Sequence, residues 1–238
     1  EAGSVSVSPV AETILTGKDG SFNLWNMVTG RYIKTIKHTL SGSNVTMSND
    51  GKYAAAGGWD SQADSSVVKI WDTATGIEIQ NLKKVGKFPG QHFRPLTITS
   101  DNKNILWSNG MNLILSDIVS GKEIKTFSDH KHEIKDAMTS ADGRYAVSTD
   151  GVFLNVWDTS TGKVLKAFKG YNGAIGSDGK NVLLMALDIG LNSKTGGIAN
   201  DNRLIIYLWN IKQKRIIRKL VADYDCSFQR GDWYFVKH

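Results

Sequence analysis

The sequence predicts an all-β fold of four-stranded antiparallel blades, a β-propeller, and three observations carry that reading. An apolar residue, a Trp and then Asp or Asn recur at Leu24-Trp25-Asn26, Ile70-Trp71-Asp72, Val156-Trp157-Asp158 and Leu208-Trp209-Asn210, with Leu115-Ser116-Asp117 as a degenerate copy. The spacing is roughly 40 to 50 residues, a period that belongs to blade repeats. Two turn signals also recur between short β-prone runs: Asp-Gly at 50-51, 142-143 and 178-179, and Thr-Gly or Ser-Gly at 29-30, 75-76, 120-121 and 161-162. Such pairs supply the positive φ that tight hairpins demand.

Taken in order, the units run approximately over 4-37, 43-84, 91-128, 131-169 and 171-221, each with strands a to d counted outward from the centre. In the fourth unit Glu133 to Thr139 is expected as a, Arg144 to Ser148 as b, Phe153 to Trp157 as c and Lys163 to Phe168 as d. Asp-Gly marks the a-b turn and Thr/Ser-Gly the c-d turn. Tyr224 to Phe228 and Trp233 to Val236 read as a and b of a partial sixth unit, 224-236, with no c or d. The expectation is therefore five complete repeats plus two strands of a sixth, in one domain over 1-238. Because an unclosed propeller exposes sheet edges, the ring is expected to belong to a larger one or to be closed by another chain.

Composition narrows the function classes. The 238 residues are 40% hydrophobic and 22% charged, and no apolar run approaches the roughly 18 residues of a membrane span. The net charge is +6, which permits weak attraction to anionic partners. The basic residues spread over the expected outer strands: Arg31, Lys34 and Lys37; Lys122 and Lys125; Lys163, Lys166 and Lys169; Arg215, Arg218 and Lys219. Spread in this way they read as a solvated rim that discourages edge-to-edge pairing, so nucleic acid is not the expected partner. Cys226 is the only cysteine, which leaves no intrachain disulfide. That usage fits the cytoplasm best, with periplasmic and extracellular settings left open. Glu1-Ala2-Gly3 leads straight into the strand-like Ser4-Val5-Ser6-Val7, so no signal peptide is read there.

The order of Asp-Gly turn, small polar residue in strand b, Asp before strand c, apolar-Trp-Asp and Thr-Gly before a basic strand d resembles the WD-repeat β-propeller family, in a divergent, bacterial-type form. The closest copies are Asn49-Asp50-Gly51-Lys52-Tyr53 through Lys69-Ile70-Trp71-Asp72-Thr73-Ala74-Thr75-Gly76, and Ala141-Asp142-Gly143-Arg144-Tyr145 through Val156-Trp157-Asp158-Thr159-Ser160-Thr161-Gly162. The resemblance covers essentially the whole chain. It implies a hydrogen-bonded structural set of His, Ser, Asp and Trp in each unit. In the fourth unit that set is His130, Ser148, Asp150 and Trp157, with Asp129-His130 in place of Gly-His; the first unit offers Thr16, Asp19 and Trp25. Most units depart from the full set. Trp25, Trp71, Trp157 and Trp209 are expected in the core, each indole N–H finding a buried acceptor.

Few residues suggest chemistry. His130 and His132, with Glu133 beside them, have metal-like spacing on a strand, but they fall where the family places its structural His and lack a third ligand, so no metal site is expected. Ser177-Asp178-Gly179-Lys180 lacks the spacing of a phosphate loop, and no Gly-x-Ser-x-Gly elbow occurs. No cofactor is expected.

The repeat is interrupted in three places, all at b-c or d-a connections: 59-65, 85-95 and 188-202. In an up-and-down blade these connections emerge on one face. One-sided insertions in a repeat array mark a binding face. Trp59, Asp60, Phe88, His92, Phe93, Arg94, Asn192 and Lys194 are therefore the candidate contacts for a protein or peptide partner, and the expected function is a non-enzymatic interaction scaffold. The competing expectation is a propeller enzyme or small-ligand binder working through the central channel. The strand-a segments Ser4-Val5-Ser6-Val7, Asn44-Val45-Thr46-Met47 and Leu96-Thr97-Ile98-Thr99 offer mostly hydroxyls and apolar groups for such a role.

Overall fold

The computed structural model describes residues 3–83, 93–170, 172–176, 179–191, 198–223, 225–229 and 232–236. Among these, all repeating secondary structure is β. Sheet 1 comprises β1 (Ser4–Ser8), β2 (Thr13–Lys18), β3 (Ser21–Asn26) and β4 (Tyr32–Lys37). Sheet 2 comprises β5 (Leu40–Met47), β6 (Tyr53–Asp60), β7 (Ser65–Asp72) and β8 (Glu78–Leu82). Sheet 3 has β9 (Phe93–Ile98), β10 (Asn104–Asn109), β11 (Leu113–Asp117) and β12 (Glu123–Phe127). Sheet 4 has β13 (Asp136–Thr139), β14 (Tyr145–Thr149), β15 (Phe153–Asp158) and β16 (Val164–Lys169). Sheet 5 has β17 (Asn172–Ile175), β18 (Asn181–Leu191), β19 (Ile198–Asn210) and β20 (Arg215–Asp223), and β21 (Asp225–Gln229) pairs with β22 (Asp232–Val236) alone. Every sheet is antiparallel, with its strands side by side in chain order.

In the second and third strands of sheets 2, 3 and 4, residues alternate between two buried faces. In β6, Ala54 and Ala56 pack toward sheet 1 while Ala55 packs toward sheet 3. In β14, Ala146 turns to sheet 3 and Val147 to sheet 5. A residue period of two with both faces covered is the signature of a sheet sandwiched by neighbours. First strands adjoin one another, β1 on β5, β5 on β9, β9 on β13 and β13 on β17, and no comparable contact joins fourth strands among the described residues. The sheets thus fan outward from their first strands. Hydroxyls serve that crowded inner side: Ser4 Oγ accepts the Val45 N–H at 3.2 Å and Ser6 Oγ accepts the Met47 N–H at 3.0 Å.

The Asp or Asn that follows the repeated Trp has a local task. Asp72 Oδ1 accepts the Thr75 N–H at 2.8 Å, Asp158 Oδ1 the Thr161 N–H at 2.8 Å and Asp117 Oδ1 the Ser120 N–H at 2.7 Å. Asn26 and Asn210 do the same for Thr29 and Gln213. Such short polar side chains close turns by accepting from the backbone two or three residues on. These N–H groups hold the carboxyls of Asp72 and Asp117 below the usual range; for Asp158 the Ser160 hydroxyl leads, with Thr161 adding to it. Gly162 then turns the chain at φ 76°, a left-handed conformation that favours glycine. Lys214 takes that conformation in sheet 5, at φ 53°.

Three expectations change on contact with the structure. Strand pairing extends into the enlarged connections of the second and fifth units. Trp59 pairs with Ser66 and Asp60 with Ser65, while Asp188 pairs with Arg203, Ile189 with Asn202 and Leu191 with Ile198. The β-prone runs continue the ladder past the body of the sheet, so the insertions are extended hairpins. Strand a of the fourth unit begins at Asp136 rather than Glu133. Trp25 is only half-buried, whereas Trp71, Trp157 and Trp209 are buried, because among the described residues no sheet covers the side of sheet 1 that faces away from sheet 2.

Candidate functional site

In sheet 4 the residues implied by the WD-repeat resemblance come together. Trp157 Nε1 donates to Ser148 Oγ at 2.8 Å, and Ser148 Oγ lies 2.7 Å from His130 Nε2. His130 Nδ1 sits 3.2 Å from Asp150 Oδ2, outside good hydrogen-bond alignment. An indole is only a donor, so the Ser148 hydroxyl accepts from Trp157; an ionised carboxylate is only an acceptor, so Asp150 favours the His130 proton on Nδ1 and leaves Nε2 to accept from Ser148. His130 then carries its proton on Nδ1, toward Asp150. Burial holds the His130 pKa below the histidine norm, with Asp150 opposing the shift. Burial pushes the Asp150 carboxyl up, but N–H groups of Phe153 and Val152, together with His130, outweigh it and hold the pKa low.

Ser, His and Asp in this order form the constellation of a hydrolase triad, which is recognised by geometry. Here it is walled in. Ser148, Asp150 and Trp157 are all buried, His130 packs on the Trp157 ring at 5.9 Å, and Phe127 closes the other side at 5.3 Å. The cavity beside Ser148 holds about 10 Å³, room for a water and no substrate. The set ties the b-c connection and the preceding chain to the core. His132 Nδ1 also approaches Asp150 Oδ2, at 3.4 Å, so one carboxylate oxygen faces both imidazoles. Among the described residues no three potential ligands are arranged to hold a metal ion.

Sheet 3 contains the same indole–hydroxyl bond with its ends exchanged, which sequence reading missed. Trp107 on β10 donates to Ser116 on β11 at 3.0 Å. Registers align Trp157 with Ser116 and Ser148 with Trp107, since Ala146 opposes Trp157 as Ile105 opposes Ser116. In both sheets donor and acceptor lie nine residues apart, as do Trp25 and Thr16, bonded at 3.0 Å. That spacing across one b-c hairpin is the signal that would have found Trp107. In sheet 2, Ala56 stands in the Ser148 position and Lys69 opposite it, and a different device appears. Lys69 Nζ pairs with Asp60 at 2.8 Å and with Glu78 at 3.3 Å, and Thr39 donates to Asp60 at 2.9 Å. Burial pushes the Asp60 carboxyl up, but Lys69, Thr39 and the Gln62 N–H hold it low. Lys69 is held high despite burial by Asp60 and Glu78.

These contacts sort the candidate partner residues. Trp59, at the end of the long β6 and 46% exposed, presents a large ring to solvent. Asp60 is buried in the Lys69 pair and unavailable to a partner. Phe93 is also unavailable, being buried against Trp107 with ring centres 5.6 Å apart. Both expectations of exposed contacts there give way to packing: the ladder turns successive side chains to opposite faces, and these two turn inward. Arg94 Nη2 lies 3.6 Å from Glu133 Oε1, and its Nε has no partner. Phe88, His92, Asn192 and Lys194 lie outside the described residues. Among the described residues, the looped face thus offers Trp59 on sheet 2 and, between sheets 3 and 4, Arg94, Glu133 and His132.

The basic rim is also partly structural. Lys34 Nζ donates to the Ala74 carbonyl at 2.7 Å and Gln80 Nε2 to the Val119 carbonyl, each reaching the c-d turn of the following sheet.

In comparison with known proteins, no family model matches the chain, and no curated protein matches it.

Proposed function

We propose that this chain is a WD-repeat-type β-propeller module, with five complete blades and two strands of a sixth, that acts as a non-enzymatic scaffold holding a protein or peptide partner on its looped face. The exposed Trp59 carries the reading. A Trp open to water on a rigid base combines large apolar area with little conformational entropy to lose, and such residues dominate the energetics of protein interfaces. Its base is rigid because the next residue, Asp60, is fixed by Lys69, Thr39 and the Gln62 N–H. Arg94, Glu133 and His132 supply charge and hydrogen bonding on the same face. The radial fan, with first strands adjoining, supports the propeller architecture. Ser148 and His130 are buried, so the Ser-His-Asp set fits a structural role, which supports a scaffold reading. A cytoplasmic setting, with its reducing thiol chemistry, belongs to the same proposal.

The test is a comparison of captured proteins between wild type, Trp59→Ala, Arg94→Ala and a control in the opposite face, Thr75→Ala. Loss of the same partner from the first two, with retention by the third, supports the reading. Retention by both looped-face variants with loss from the control places binding on the other side.

A further inference from the structure

Successive sheets are joined by one contact pattern, repeated along the fan. Its forward half comes from strands b, c and d of one sheet. On strand d a long donor, Lys34, Gln80 or Lys125, stands opposite the residue before the Trp position. Two residues further on is an apolar side chain, Ile36, Leu82 or Phe127. The donor lies on the next c-d turn: Lys34 on Ala74, Gln80 on Val119, and Lys125 over Gly162, where an added Cβ would meet its Cδ at 3.0 Å. The apolar residue joins the core that includes the tryptophan of the next sheet. The backward half comes from strands a, b and c, as with Val45, Met47, Ala54 and Trp71 of sheet 2.

Both halves are left bare at the ends of the fan. On sheet 1, Val7 is 45% exposed where its equivalent Met47 is 6%, Trp25 is half-buried, and nothing lies within 4 Å of a Cβ added at Gly30. On sheet 5, Leu183 is 40% exposed where Val147 is 2%, Leu220 is 58% exposed where Phe127 is 0%, and Arg218 occupies the donor position. The hairpin of β21 and β22 touches β19 but leaves Leu183 and Leu220 open. One flank has the apolar residue and the cation, and the other has the tryptophan and the uncapped turn. Neither β1 nor β4 shares a comparable contact with sheet 5 within the chain, among the described residues.

We propose that these two flanks dock on each other between copies, the sheet 1 flank of one chain against the sheet 5 flank of a second. Leu220 seats by Trp25, and Arg218 caps the turn over 27–30. Continuity with the internal interfaces selects this occupant: the two surfaces are the separated halves of a contact the molecule already makes. The interface is heterologous, so association is head to tail and either closes or propagates. This inference stands on the inter-sheet contacts and not on the looped face, so its failure leaves the scaffold reading intact.

Molar mass is measured in solution across a wide concentration range for wild type, Val7→Glu and Leu220→Glu, with circular dichroism to verify folding; both sites are exposed, so both variants should fold. Wild type is expected to exceed the single-chain mass increasingly with concentration, and each variant alone to stay at the single-chain mass. Mixing the two variants should restore a complex of two chains and no more, because one intact head meets one intact tail. A wild type that stays a single chain overturns the proposal. So does association that survives either substitution, or a mixture that fails to form the two-chain complex.

Discussion

Sheets 3 and 4 solve one problem with the same pair of residues placed in opposite order. In sheet 4 the indole comes from β15 and the hydroxyl from β14; in sheet 3 the indole comes from β10 and the hydroxyl from β11. The cross-strand geometry, not the strand of origin, sets the requirement: a large ring filling the space between sheets, with its N–H satisfied by the neighbouring strand. Around this bond sheet 4 adds His130 and Asp150, whereas sheet 3 packs Phe93 on the ring. The comparison shows that the repeat tolerates exchange of its parts as long as volume and hydrogen bonding are preserved.

The largest effect should follow from removing the ring in sheet 4. Trp157→Ala is expected to lower stability by about 3 to 5 kcal/mol, the usual cost of truncating a buried aromatic, measured by urea denaturation. A loss under about 1 kcal/mol would show that the ring is not part of the core.

The exchange itself can be probed next. Trp107→Ser and Ser116→Trp should each destabilise, the first by opening a cavity and the second by overfilling. Their combination rebuilds the order found in sheet 4. It should cost less than the sum of the single changes by about 1 to 3 kcal/mol, the range of coupling for residues in contact. Simple additivity would mean that strand of origin matters after all.

A smaller effect separates the two sheets by pH. The His130 pKa in the folded protein lies below its ordinary 6.5, so the folded state resists a proton that the unfolded chain accepts. That contribution is fully present above pH 6.5 and declines as pH falls through the folded value. Asp60, Asp72, Asp117, Asp150 and Asp158, all held below the ordinary 3.8, lose their contributions only at lower pH. His38, also held low, first by burial and then by Lys69, shares the upper window. Melting temperature should therefore fall in two stages on acidification, and His130→Asn should shrink the upper stage. An unchanged upper stage in that variant would assign it to His38.

Much of this architecture was legible because it rests on local chemistry. Asp-Gly and Thr-Gly turns fix hairpins within a few residues, and the Trp-Asp pair marks the third strand together with the acceptor that closes its turn. The His130 set was legible through family resemblance. Trp107 was not, since a motif anchored on strand c has no place for a tryptophan on strand b. The Lys69–Asp60 pair was hidden for a different reason: a lysine in a strand reads as exposed until its partner, nine residues earlier, is known to face it. Side-chain direction also decided the candidate face. Sequence placed Trp59, Asp60 and Phe93 together as loop residues, whereas the strand ladder turns Trp59 outward and buries the other two.

The division between a structural network and an exposed contact face is the central claim, and one paired measurement addresses it directly: urea unfolding and partner capture on the same preparations of Ser148→Ala and Trp59→Ala. Ser148→Ala leaves the Trp157 N–H and His130 Nε2 without their shared partner and should cost about 1 to 3 kcal/mol while captured partners persist under native conditions. Trp59→Ala should stay within about 0.5 kcal/mol of wild type, as surface changes do, and lose its partner. The opposite pairing, with capture lost from a folded Ser148→Ala and retained by Trp59→Ala, would contradict the account.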